Sequence, residues 1–352
     1  KNAEPSITAR IKLLSSLKHD EKRLPQDGRF KVDMNNEKVS FRVSVLPTYY
    51  GEKTVMRLLR ENVSGFTLEY LAFHGEGLEA IHHAVTQTTG MILTTGPTGS
   101  GKTTTLYTIL DILNTPDVNI STIEDPVEYQ MKRINQTQVN PDIGFTFASG
   151  LRTLVRQDPD IIMVGEIRDN ETAALAVNAS LTGHLVLSTL HTNSAAGAIP
   201  RLLDMKIEPF LLVSTINIII AQRLVRRLSD TKEKYFLSKA EVEALGKTVN
   251  LEKVLGFLKT EKVVKSVESW EKIPFFKAVP NKEDDGYKSR IGIHEVLRVT
   301  QGIRELIIKG GTAEEIENQA KKEGMLTMLE DGIFKAVQGH TTIEEVLRVI
   351  SE

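Results

Sequence analysis

The residues with the plainest chemistry in this chain are Gly96, Pro97, Thr98, Gly99, Ser100, Gly101, Lys102 and Thr103, which fit the phosphate-binding pattern G-x-x-x-x-G-K-[ST]. Glycines at 96, 99 and 101 permit positive φ and let backbone N–H groups approach phosphate oxygens. With Thr104 continuing into a helix, those N–H groups make an anion-binding nest that the helix dipole reinforces. Lys102 is expected to reach the β- and γ-phosphates, and the Thr103 hydroxyl to ligate Mg²⁺. Such a loop works only between a strand and a helix. Met91–Thr95 reads as a buried strand, and Leu106, Ile109, Leu110 and Leu113 have helical spacing. Binding of a nucleoside triphosphate follows; its use does not.

Acids must supply the rest. Ile123-Glu-Asp-Pro-Val-Glu-Tyr129 places Glu124, Asp125 and Glu128 at the end of a predicted strand, the edge that faces ligand in an open parallel sheet. They are candidates for meeting Mg²⁺ (Glu124 through water) or the attacking water. Asp160-Ile-Ile-Met-Val-Gly-Glu166 is an apolar run ending in an acid, and Glu166 is the candidate for polarising water at the γ-phosphate. Gly165 stands where a metal-binding Asp is often found, so the metal must rely more on Thr103, water and a neighbouring carboxylate.

Arg42, Arg57, Arg152 and Arg156 are candidates for charge stabilisation, because Lys102 alone leaves the transition state under-compensated. His184 and His191 bracket the predicted strand Leu185–Thr189, and one of them is placed to sense the γ-phosphate as a neutral donor.

Around these motifs, strands and helices alternate from about Phe66 to Leu228, the pattern of a mainly parallel sheet covered by helices. Strands are expected at Val118–Ile123, Asp160–Val164 and His184–Thr189, and helices at Phe147–Gln157 and Asn170–Leu181. Before them, residues 1–62 read as part of a small α/β domain. In it, Ile7, Ile11 and Leu14 form a helical stripe, Leu24–Arg29 makes a turn, and Val39–Val45 alternates so that Arg42 faces away from Val39, Phe41, Val43 and Val45. Residues 63–66 are a linker and 67–228 the core. Residues 229–299 form an inserted segment with helix starts at Ser238 and Asn250 and a strand over Tyr287–Val299. Residues 300–352 are helical, with capping boxes at Thr312 and Thr342. Pro209–Ala221 reads as a buried helix, too short to span a bilayer.

Bulk properties narrow the classes. A 352-residue chain with 40% hydrophobic residues and a net charge of −2 suits an ordinary globular protein and argues against general nucleic-acid binding. Zero cysteines exclude disulfides and cysteine zinc sites.

Taken together, the chain resembles the motor ATPases of type II secretion and type IV pilus assembly, the GspE/PilB-like family. The likeness rests on Arg23–Arg29, Arg42–Pro47, Gly51–Leu59, the phosphate loop, the acidic box Ile123–Tyr129, Leu151–Asp160, Val164–Asp169, the histidine box Thr182–His191 and Ala221–Arg226. The resemblance implies a RecA-like core and a small PAS-like domain lacking its opening half, with ATP and Mg²⁺ held between the two. It also implies a cytoplasmic homo-hexamer docked at the inner membrane under a platform protein. By motif, Lys102 and Thr103 hold phosphate and metal, Glu166 and Glu128 are the key acids, and Arg42 and Arg57 meet phosphate on closure. Arg152 and Arg156 lie near the nucleotide or subunit boundary, and His184 and His191 couple or sense. Assembly-type members carry a tetracysteine zinc site, whose places are taken here by Ser229, Lys232, Val279 and Lys282, so helix packing must hold that segment. Assembly is favoured over retraction, and a nucleic-acid translocase is the alternative of another class.

Overall fold

Runs of β-branched and leucine residues make the central strands, because a parallel strand covered on both faces has no solvent side to keep polar. The computed structural model describes residues 3–34, 37–60, 66–264, 269–280 and 285–351. The chain divides into two units. The first comprises Lys1–Gly65 with Pro126–Lys132, the second Phe66–Asp125 with Arg133–Glu352. Residues 63–65 of the expected linker, and Lys282, lie outside the described residues.

In the first unit, helix α1 (Glu4–Leu14) precedes an antiparallel sheet of β1 (Gln26–Met34), β2 (Glu37–Thr48) and β3 (Gly51–Arg60), in that order. Val43 and Val45 are fully buried on one face, as the alternation predicts. Two expectations fail here. The Leu24–Arg29 turn is largely strand: Gly28 sits inside β1 opposite Val43. A Cβ at Gly28 would fall 2.6 Å from the Ser15 carbonyl oxygen, so the glycine serves close approach rather than reversal. Nor does the stripe Ile7–Ile11–Leu14 form the inner face of α1. Ile7 and Leu14 are exposed while Thr8 and Lys12 are buried. Lys12 is paired with Glu52 and donates to the Glu21 carbonyl, and a buried ammonium persists only with such partners.

The second unit runs α2 (Gly75–Val85), β4 (Gly90–Thr95), α3 (Lys102–Leu113), β5 (Ile120–Glu124), β6 (Ile134–Gln138), α4 (Phe147–Leu154), β7 (Ile161–Val164), α5 (Asn170–Leu181), β8 (Leu185–Leu190), α6 (Ala198–Asp204), α7 (Pro209–Thr215) and β9 (Ile216–Leu228). It continues through β10 (Lys232–Phe236), α8 (Lys239–Gly246), α9 (Leu251–Thr260), β11 (Pro274–Ala278), β12 (Tyr287–Arg298), α10 (Gln301–Ile308), α11 (Ala313–Lys322), α12 (Met328–Val337) and α13 (Ile343–Ser351). Its seven-stranded sheet has the order β12-β9-β4-β8-β7-β5-β6, parallel except that β12 runs antiparallel to β9.

The buried helix expected over Pro209–Ala221 is only half present. Helix α7 ends at Thr215, and Ile216, Ile218, Ile219 and Ile220 open β9 between β4 and β12. The β-branched side chains pack well on a pleated surface and lose rotamer freedom in a helix, and here the sheet wins.

The inserted segment of helices and strand, expected to be held by helix packing, contains the two-stranded sheet β10–β11. Its core joins Trp270, Phe275, Val254 and Leu258 to Phe334 and Val337 of α12. Lys232 donates to the Gly339 carbonyl at 2.7 Å. The capping box at Thr312 is complete. At Thr342 only half forms: Thr342 Oγ1 accepts from Glu345 N, but the Glu345 carboxylate is taken by Arg226 and Arg348.

Candidate phosphate-binding and catalytic site

Parallel strands bring their C-terminal ends to one edge of a sheet. Thr95 pairs with Leu190, Val164 with Ser188, and Ile123 with Val164, so the segments following β4, β5, β7 and β8 emerge together. The phosphate loop leaves β4, an interior strand between β9 and β8, and enters α3 with Gly96, Gly99 and Gly101 all at positive φ. Gly96 has φ +140°, and a Cβ there would lie 2.4 Å from the backbone oxygen of Gln222. No L-residue fits that position without moving β9.

Lys102 is buried, and its Nζ donates to the carbonyls of Gly96 at 2.9 Å and Pro97 at 3.0 Å. Burial lowers its pKa, opposed by the negative charge of Glu166. Ser100 Oγ is buried without a hydrogen-bond partner, a polar atom inside the loop suited to an incoming phosphate oxygen.

One residue that the motif did not single out holds this loop. Gln222 is buried on β9; its Nε2 donates to the Ser100 carbonyl at 2.8 Å, and its Oε1 accepts from Thr105 at 2.9 Å. The signal available in the sequence was a lone polar side chain inside the run Ile218–Val225.

Glu166 follows β7 and is buried. Its Oε2 lies 3.2 Å from His191 Nε2 and 2.7 Å from Arg168 Nε. Arg168, two residues on, is therefore a second member of the site that the sequence reading passed over. A side chain at Gly165 would come within 3.3 Å of Glu124 Cα, so the close packing of β5 on β7 explains the absence of an acid there. Glu124 is buried at the end of β5. It accepts from Tyr107 of α3, from Thr122 at 2.5 Å and from Gln136 at 3.3 Å, which fixes the carboxylate rather than leaving it mobile.

The two histidines part company. His191 joins Glu166, whereas His184 lies at the opposite end of β8, where its backbone oxygen accepts from Gly90 N. Six strand residues separate the two, roughly 20 Å at about 3.3 Å each. His184 Nδ1 contacts the Ala179 carbonyl at 2.8 Å and so caps the end of α5. That distance removes it as a γ-phosphate sensor for the loop of its own unit. Arg152 is exposed and paired with Glu171, and Arg156 is exposed.

In the first unit, Arg42 pairs in register with Arg57 on one side and with Arg29 on the other, so three arginines stand in one row across the sheet. Like charges directly opposite each other repel, and such a row suits binding an anion. Arg29 was not anticipated as part of it. Its Nη1 donates to the Val127 carbonyl at 2.6 Å, within the Pro126–Lys132 segment that also carries half-buried Glu128 and is grouped with this unit.

Residues 2–348 match the family described as Type II/IV secretion system protein. The chain belongs to that family. It is 46% identical over 343 residues to the type IV pilus assembly ATPase PilB of Myxococcus xanthus, covering 97% of this chain and 58% of that one. It is 47% identical to type II secretion system protein E of Xanthomonas campestris pv. campestris, covering 99% and 59%. The chain thus spans somewhat under three-fifths of the length of these relatives. Among solved structures, the pilus retraction motor PilT with bound ADP matches with a TM-score of 0.66 at 27% identity, covering 93% of this chain and 78% of that one. The fold is α/β and RecA-like.

Proposed function

We propose that this chain is the ATP-hydrolysing motor portion of a type IV pilus assembly or type II secretion machine. The observation that carries the reading is the complete phosphate loop at the end of the interior strand β4, with Glu166 at the same sheet edge and its negative charge acting on Lys102. In this reading the loop N–H groups and Lys102 hold the β- and γ-phosphates. Glu166 orients the attacking water, and His191 senses the γ-phosphate from the other side of that carboxylate. The donor set is hard oxygen, the Thr103 hydroxyl with Glu166 and the fixed carboxylate of Glu124 nearby through water, and this suits Mg²⁺. Among the described residues no three His, Asp or Glu side chains cluster as a metal cage. That fits an ion held largely by nucleotide phosphates and water. When bound, Mg²⁺ neutralises charge on the phosphates.

The row Arg29–Arg42–Arg57 is proposed to supply the remaining positive charge during turnover, with Glu128 as the companion acid on the same unit. Arg152 and Arg156, being exposed, are proposed to face a neighbouring copy in a homo-hexamer. The proposed partner is an inner-membrane platform protein on its cytoplasmic face. Among the described residues no helix is long and apolar enough to cross a membrane. The alternative, a retraction motor, draws support from the likeness to PilT. Assembly is preferred because the more similar relatives are an assembly ATPase and a secretion protein. Nucleic-acid translocation is disfavoured by the net charge of −2.

Phosphate release from ATP by the purified, assembled protein, with Mg²⁺ and with EDTA, tests the chemistry. Binding of ATP with no Mg²⁺-dependent turnover would refute it. A deletion strain without surface fibres supports assembly, whereas one with excess fibres supports retraction.

A further inference from the structure

A single rung of the sheet joins Glu295 on β12, Ala221 on β9, Thr95 on β4 and Leu190 on β8, each opposite the next. Partners in register point to the same face, so Glu295 and Thr95 flank the small side chain of Ala221, two strand spacings or roughly 10 Å apart. Both reach the same segment, the loop after β8. Thr95 Oγ1 accepts from Thr192 N at 2.8 Å and lies 2.8 Å from Thr192 Oγ1. Glu295 Oε1 accepts from Ala195 N at 2.8 Å. The loop between these anchors lies next to His191, the residue in contact with Glu166. Glu295 is 4% exposed, and Ala195 and Ala196 are fully buried, so no water competes for the bond.

We propose that Glu295 is a positioning residue: with Thr95 it clamps the loop 191–197, and so fixes His191 against Glu166. A buried acid is a costly choice for a purely structural tie, since an apolar side chain would fill the space without desolvating a polar group. What only an acceptor at this position supplies is a fixed partner for the Ala195 N–H. The opposed charges of Glu317 and Lys321 on α11, themselves ion-paired, both act on this carboxyl group. The sequence shows none of this, because Glu295 is separated from Ala195 by 100 residues.

The catalytic half of this inference rests on the ATPase reading above; the clamp itself does not. The test compares the full chain with Glu295→Ala, Glu295→Gln and Glu295→Asp by amide hydrogen exchange and by ATP turnover. Glu295→Ala should raise exchange in residues 191–197 at least tenfold while leaving β4 and β8 protected. It should lower kcat roughly tenfold or more with KM for ATP within twofold. Glu295→Gln keeps an acceptor in place and should recover most of both. Glu295→Asp withdraws the acceptor by one methylene and carries the expectation of the alanine variant should that one not fold. Wild-type exchange across 191–197 in a folded Ala or Asp variant overturns the clamp, and so does a glutamine variant as impaired as alanine. A wild-type chain with no turnover would defeat the ATPase reading, yet exchange would still decide the clamp.

Discussion

Gln222 and Ser100 lie 122 residues apart in the chain, and the Gln222 side-chain amide donates to the Ser100 carbonyl at 2.8 Å. Strand β9 thereby reaches across to the phosphate loop and fixes its curvature from behind. Gln222→Ala should leave the Ser100 carbonyl and the Thr105 hydroxyl without partners. The cost is about 1–3 kcal/mol for each buried group left unsatisfied. Isothermal titration should show ATP affinity weakened roughly tenfold or more, while Gln222→Glu, which loses the donor, should be no better than alanine.

Lys102 and Glu166 separate binding from chemistry. Lys102→Ala should abolish measurable nucleotide binding or turnover, since its ammonium is the main cation of the loop. Glu166→Gln should retain bound ATP yet lower phosphate release by about 10²-fold or more, the scale of a general-base contribution. Equal loss of affinity in both variants would contradict the assignment of Glu166 to the water rather than the phosphate.

Strain in the arginine row gives a prediction with two opposite signs. Arg57 is exposed and stands opposite Arg42, and like-charged cross-strand pairs are destabilising by about 0.2–1 kcal/mol. Arg57→Ala should therefore leave thermal stability unchanged or slightly raised, while ATP turnover falls. Full turnover in that variant would sink the proposed role of the row.

The buried carboxylate of Glu295 should leave a signature in stability against pH. Burial pushes its pKa up to about 7, so the folded protein holds a proton there that the unfolded chain gives up near the ordinary glutamate value. Where the folded state binds more protons, stability falls as pH rises. The group's favourable contribution is complete below about pH 4.5 and is lost as pH climbs through about 7. Urea titrations of wild type and Glu295→Gln at pH 5 to 8 should converge at the acid end, with wild type progressively less stable toward pH 8.

Asp331 behaves in the opposite sense. Burial raises its pKa, but the charge of Lys335 and the hydrogen bond from His74 outweigh that, so its net pKa is depressed. Its contribution is present above the ordinary aspartate range and lost as pH falls through the depressed value. Asp331→Asn leaves Lys335 buried beside His294 without a counter-charge and should cost about 3–5 kcal/mol in denaturant unfolding.

By itself the sequence determined the phosphate loop, the strand–loop–helix around it, the strand ending near Glu166 and the alternation that puts Arg42 opposite the buried valines. These features are legible because local spacing encodes them: a loop motif is contiguous, and helix and strand periods repeat within a few residues. The tertiary structure alone decided that Ile216–Ile220 forms a strand, since short apolar runs fit either a buried helix or a buried strand and only neighbours β4 and β12 choose. It alone sent His184 to the far edge and His191 to Glu166, because a strand of six residues carries its two flanks apart. Gln222 and Glu295 took their places through pairing between strands distant in sequence, and Arg29 through the register of β1 on β2. The register of a sheet, not the spacing of a motif, sets which side chains meet.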